Sequence, residues 1–206
     1  MPHPLVTQLR FTRSEWVRGL RTVTAAEAVH RLGRINPIAW MIGHLAWQEQ
    51  LYWLERAQGT TVVPEVQQFG YGKPLTVPSL EEAWGWWRAV TTATDPYLDS
   101  FSGAILTRRW KREPSRETAG TKLHRTTYHY WFHLGEAQAI RQLLGPGRLP
   151  DFVGGFGKSQ YRPEASHRDP MAPRSRTPRR PGSAPGGPRL ATIRAAGRPA
   201  RPATTA

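Results

Sequence analysis

Leu9, Trp16, Leu20 and Val23 recur at helical spacing, which predicts an amphipathic helix over about 5–23. Gly19 falls inside that stretch and weakens its far end. Thr24 and Glu27 have the spacing of a capping box and open a short second piece over 25–31. Asn36-Pro37 is a start signal: asparagine caps a helix, and proline at the first helical position gives up an N–H that has no partner there. The helix that follows, 37–57, lays Trp40, His44, Trp47, Leu51 and Leu54 along one face, and Gly59 ends it.

Between 60 and 78 the periodicity stops, and Pro64, Gly70, Gly72, Pro74 and Pro78 take its place. So long a connection between two helices predicts a crossover along a bundle rather than a tight hairpin. Ser79 and Glu82 form a second capping box, opening a third helix through Trp86 and Trp87 to about Thr94, with a resumption after Pro96. A polar stretch, 107–119, precedes a fourth helix over 120–144, which stops at Gly145-Pro146. The fold class is therefore all-α: a four-helix bundle with a long crossover between helices 2 and 3. Residues 147–164 read as an irregular extension whose Leu149, Phe152, Val153 and Phe156 can pack on the bundle.

Composition divides the chain in two. From 165 to 206 there are eight prolines and nine arginines against one acid, Asp169, and no periodicity. This predicts a bundle domain over 1–164 followed by a disordered tail over 165–206. Arg, Pro, Ala and Gly are also what GC-rich codons give in any reading frame, so the tail reads equally as functional or as a frame artefact. More than half of the net charge of +14 lies in the tail, which lacks aromatic rings for base stacking. That argues against nucleic acid as the main partner and leaves the tail at most non-specific phosphate contact. The absence of cysteine removes disulfides, thiolate ligands and a cysteine nucleophile, and suits a reducing cytosol. With neither a signal-peptide core nor an 18-residue apolar run, the expectation is a cytoplasmic protein without a membrane partner.

Three of the seven histidines can meet in such a bundle. His129 and His133 lie four residues apart, one above the other on a helix face that continues to Glu136, Ile140 and Leu144. His44 lies on the apolar face of the second helix, between Trp40 and Trp47. Two imidazoles from one helix and a third from a neighbour can hold a divalent ion, and three ligands leave coordination positions open, as catalytic sites do. The plainer alternative is three hydrogen-bonded core histidines. Against it stands the expense of burying three polar rings without a shared partner. His124 falls off this stripe and reads as a surface or supporting group, while His3, His30 and His167 have no chemical company.

The stretches NPIAWMIGHLAWQEQLYW, PSLEEAWGWWRAVTTATDPYLDSF, TKLHRTTYHYWFHLGEAQAIRQLLG and LPDFVGGF resemble the DinB/YfiT-like family. The likeness covers about 5–164, with the histidine-bearing helices in matching order and spacing. It implies a four-helix bundle with a crossover between the second and third helices. It also implies a metal site on His44, His129 and His133. Zn comes first as the ion, with Ni, Mn or Fe as alternatives. The family's characterised members include thiol-dependent transferases and an isomerase that use mycothiol or bacillithiol. By resemblance, then, the chain is a metal-dependent S-transferase joining a low-molecular-weight thiol cosubstrate to an electrophilic small-molecule substrate. A metal-dependent hydrolase is the alternative, and a non-catalytic metal-binding module or basic-tail nucleic-acid binder lies beyond it. A homodimer is a further open expectation.

Around the three histidines, Glu136 is a candidate acceptor for the His133 ring, or else a surface carboxylate paired with an arginine. Arg141 is a candidate for an anionic substrate or cosubstrate carboxylate, or else a surface ion pair. Trp40 and Trp47 are candidate pocket walls. Glu49 and Tyr52 follow His44, and Glu49 lies off its stripe and is not a ligand.

Overall fold

The computed structural model describes residues 2–112, 114–145 and 147–152. The described residues are helical, with no strand. Four long helices carry the core: α1 (Pro4–Leu20), α3 (Ile38–Glu49), α4 (Leu80–Asp99) and α6 (Ala119–Leu144). Two short helices, α2 (Ala25–Val29) and α5 (Gly103–Leu106), serve as connectors. The expected tail over 165–206, with Val153, Phe156 and His167, lies outside the described residues.

Side-chain meetings give the directions of the helices. Arg10 of α1 reaches Asp95 and Asp99 late in α4, while Trp16 packs near Trp84 early in it, so α1 and α4 run antiparallel. Trp40 meets His133, and Tyr52 just beyond α3 lies under the Lys122 ammonium, so α3 and α6 are also antiparallel. Phe69, held against Gly43, touches Trp86, whereas Trp53 touches Phe101 beyond the end of α4. Helices α3 and α4 are therefore parallel. A 20-residue helix spans roughly 30 Å, and the chain must climb back along it before α4 begins. The residues 59–79 make that climb, as the sequence predicts.

Local signals explain most boundaries. Both expected capping boxes form, Thr24 with Glu27 and Ser79 with Glu82, each with reciprocal side-chain and backbone hydrogen bonds. The Thr118 hydroxyl accepts from the Thr121 N–H and opens α6. Three details differ from expectation. Pro37 rather than Asn36 holds the N-cap position of α3, so the helix starts one residue later. α1 stops at Leu20, because Thr22 and Val23 turn toward the Thr24 box. And α4 runs unbroken through Pro96 to Asp99, one lost backbone bond being tolerated where Asp95 and Asp99 are held by arginines of α1.

Two features had no warning in the periodicity. The last turns of the second long helix are a π-helix, Gln50–Arg56, and the crossover contains a 3₁₀ turn, Pro64–Phe69. Gly19, which weakens the pattern of α1, has a packing reason. A Cβ there would fall 2.7 Å from Leu134 Cδ1 and from Phe152 Cζ, so α6 and the Phe152 ring press directly on the backbone of α1.

Candidate metal centre

The three candidate histidines converge. One ligand nitrogen from each of His44, His129 and His133 lies within 4.8 Å of the others. Helix spacing supplies the pair on α6, and the antiparallel docking of α3 brings the third. His44 and His133 are buried, and His129 is partly open to solvent. The His44 ring is stacked between Trp40, at 4.5 Å and 14°, and Trp47, at 5.2 Å and 23°. It meets His129 and His133 edge-on, at 4.9 and 5.3 Å. The two tryptophans are thus walls around one candidate ligand.

Hydrogen bonds set the ring tautomers. His44 Nδ1 lies 2.6 Å from the carbonyl oxygen of Phe69, which can only accept, so Nδ1 carries the proton and Nε2 is left with a lone pair. His133 Nδ1 lies 2.7 Å from Glu136 Oε2 and donates to it in the same way. Of the two readings open for Glu136, the contact is that of an acceptor for the His133 ring. Such partners on the outer ring nitrogen orient imidazole ligands and raise their basicity.

The remaining nitrogens test whether an ion fits. His133 Nε2 and His129 Nε2 face each other at 2.9 Å. In the neutral tautomer with the His133 proton on Nδ1, His133 Nε2 is a lone pair. If His129 donates from Nε2, its Nδ1 is a buried acceptor without a hydrogen-bond partner; if it does not, two lone pairs collide. A cation accepting from both Nε2 atoms removes that repulsion, while the buried His129 Nδ1 has no hydrogen-bond partner in either tautomer. Burial also keeps His44 and His129 unprotonated. It is the largest influence on His44, whose pKa is lowered to about 4 against the opposing pull of the Phe69 carbonyl. Burial, followed by the nearness of His133 and His44, lowers His129 to about 3. His44 and His129 thus offer neutral nitrogen at ordinary pH, which is what a divalent ion requires.

An open cleft of about 490 Å³ borders His129 and is lined by Thr121, His124, Arg125, Tyr128 and Phe132 as well. The rings of Tyr128 and Phe132 are exposed there, and His124 stacks on Tyr128 at 5.9 Å. His124, placed off the ligand stripe by its spacing, thus belongs to the cleft and not to the cluster. Arg125 is engaged with the Glu117 carboxylate.

Two other candidates settle differently. Arg141 does not face the cluster. Its Nη1 donates to the Gly19 carbonyl at 2.9 Å and its Nη2 to the Thr22 hydroxyl at 2.8 Å, so it ties α6 to the end of α1. It stands eight residues beyond His133, roughly 12 Å along the helix, beside a different cavity with Glu27 and His30. Glu49, set aside as a ligand, is fully buried and bound to Arg13, which lies across from it on α1. Arg13 went unremarked in the sequence, although it occupies the stripe of Leu9, Trp16 and Leu20 and was the one charge on it. His3 accepts from the Leu5 N–H at the start of α1, and His30 ends α2 on the surface.

An all-α protein of four long helices with three imidazoles meeting between two of them is the class that fold and site define. Residues 8–137 match the DinB superfamily, and the chain belongs to it. No curated protein matches the chain.

Proposed function

We propose that the protein binds one divalent metal ion through His44, His129 and His133 and uses it in catalysis. The observation that carries this reading is the meeting of three imidazole nitrogens within 4.8 Å, with the outer nitrogens of His44 and His133 already on acceptors. Three protein ligands leave a position for a reactant. The DinB superfamily as a metal-binding family points the same way.

The chemistry a divalent ion supplies at such a site is Lewis acidity, lowering the pKa of a thiol or a water brought to its open position. The finer reading is S-transfer: a low-molecular-weight thiol attacks an electrophilic small molecule. The chain has no cysteine, so the thiol comes from outside. The nearby carboxylates are engaged, Glu136 with His133 and Glu49 with Arg13 and Tyr130. That favours a nucleophile with an acidic proton of its own over a water needing a carboxylate base, and so the transferase over the hydrolase. Tyr128 and Phe132 offer an apolar approach past His129 for the electrophile.

The test is metal content. Untagged protein purified beside His133→Ala and measured by plasma mass spectrometry should hold about one divalent ion per chain, lost in the variant. A wild type that stays empty after incubation with Zn, Ni and Mn overturns the reading. Loss of free thiol in the presence of a model electrophile then tests the transferase.

A further inference from the structure

We propose that the backbone carbonyl of Phe69, carried in by the crossover and seated against Gly43, is the positioning group that makes His44 a ligand through Nε2. The inference rests on the metal-binding reading above.

A neutral imidazole has two tautomers and two faces, and the cluster needs one combination of them. The stacking of Trp40 and Trp47 fixes the plane of the His44 ring. It does not choose between the two orientations related by a half-turn about the Cβ–Cγ bond, because both present the same faces to the tryptophans. The Phe69 carbonyl chooses. At 2.6 Å from Nδ1 it accepts the one proton of the neutral ring, which leaves the Nε2 lone pair as the ligand.

The carbonyl is itself held in place from three sides. At the near end of the crossover, buried Gln50 accepts from the Val62 and Val63 N–H groups at 3.1 and 2.7 Å and donates to the Val63 carbonyl at 2.9 Å. At the far end the Phe69 ring is fully buried and packs on Trp86. Beneath it lies Gly43, where a Cβ would fall 2.7 Å from Phe69 Cδ2 and 3.0 Å from Cγ. The ring and the carbonyl of one residue thus grip consecutive positions of α3, Gly43 and His44. Gly43 is required by this close approach and not by its backbone angles. A histidine ligand whose outer nitrogen loses its acceptor typically binds metal about 10–100-fold more weakly.

The test uses the full chain, with Zn as the probe. In metal-free wild type, long-range proton–nitrogen NMR at neutral pH should find His44 protonated on Nδ1; an Nε2-protonated His44 overturns the inference. Gly43→Ala should push Phe69 off its seat, mix the two His44 tautomers, and weaken Zn about 10–100-fold in competition with a chromophoric chelator. Phe69→Ala, which removes the ring that seats the carbonyl, should move both readings in the same direction. A lost contact that matters only for folding would not be read out in the tautomer. Gly43→Ala with wild-type tautomer and affinity overturns the inference. If that variant does not fold, Gln50→Ala, which frees the start of the crossover, should move the same two readings in the same direction, and unchanged readings overturn it too. Wild type that binds Zn with His44 protonated on Nε2 refutes only the role of Phe69. Wild type that binds no Zn refutes the metal reading and this inference with it.

Discussion

Arg13 of α1 and Glu49 of α3 form a buried, two-pronged ion pair at the centre of the helices, Arg13 Nε lying 2.8 Å from Glu49 Oε1 while Nη2 grips Oε2. The pair extends outward. Tyr130 of α6 donates to the same Glu49 oxygen at 2.7 Å and accepts from the Trp87 N–H of α4 at 2.7 Å. Arg13 also reaches Thr94 and Asp95 of α4. One connected polar network therefore touches all four long helices. Burial alone would favour a neutral arginine, but the Glu49 carboxylate overrides it and holds Arg13 charged. Burial, then Glu49, keeps the Tyr130 hydroxyl protonated well above its ordinary range.

Glu49→Ala should destabilise the fold by about 3–5 kcal/mol, because it strands a buried guanidinium. Arg13→Met combined with Glu49→Leu should lose much less than the sum of the two single changes. Guanidinium denaturation of the single and double variants checks this. Equal losses for the double variant and the sum would mean that the pair is not a unit.

Glu136→Ala should leave the fold intact and weaken metal binding by about 10–100-fold, since it removes the acceptor that orients His133. Chelator competition measures the affinity, and thermal melting of the metal-free protein controls for folding. An unchanged affinity would make Glu136 a bystander.

Metal-free protein should lose stability on acidification through its histidines. His44 and His129 have folded pKa values of about 4 and about 3, below the ordinary 6.5. Below pH 6.5 the unfolded chain takes up protons that the folded chain refuses. Their contribution is therefore complete above pH 6.5, declines as pH falls, and is lost through about pH 4 and 3. Denaturation midpoints at pH 7.5 and 5 should differ, and His129→Leu should shrink that difference. An equal difference in the variant would assign the acid sensitivity to other groups.

Arg141→Ala should destabilise the protein by about 1–3 kcal/mol, because it removes the bond to Thr22 and leaves the Gly19 carbonyl only the longer bond from Gln138. Metal occupancy should not change. A loss of metal or of substrate binding in a variant of wild-type stability would return Arg141 to the role its charge suggests in the sequence.

The helices and the histidines were legible for different reasons. Capping boxes at Thr24 and Ser79 are local chemistry, and both form as their spacing predicts. His129 and His133 share a face by the geometry of any helix, so only the docking of His44 depended on tertiary structure. The crossover could be inferred from its length and its prolines, but its contents could not. The acceptor for His44 is a backbone carbonyl, and a carbonyl leaves no mark in a sequence. Gly43 is its one trace, and a glycine beside a histidine in a helix reads first as a weak helix former. Arg13 stands out on the apolar stripe of α1, but Glu49 looks like an ordinary surface charge, and only their shared burial reveals the pair. Arg141 misled because charge suggests a ligand, whereas here the guanidinium satisfies backbone and hydroxyl oxygens between helices.

The parallel pairing of α3 and α4 has a consequence for when the centre is assembled. The turn bearing His129 and His133 can form as soon as α6 does, but His44 is separated from it by the crossover, α4 and α5. Closing so long a loop comes after local helix formation in most folding chains. A small zinc-nucleated domain waits for its ion before it can fold. This chain must build its core first and offers a complete donor set only once α3 has docked, so on the metal-binding reading loading is an event in the life of the finished protein.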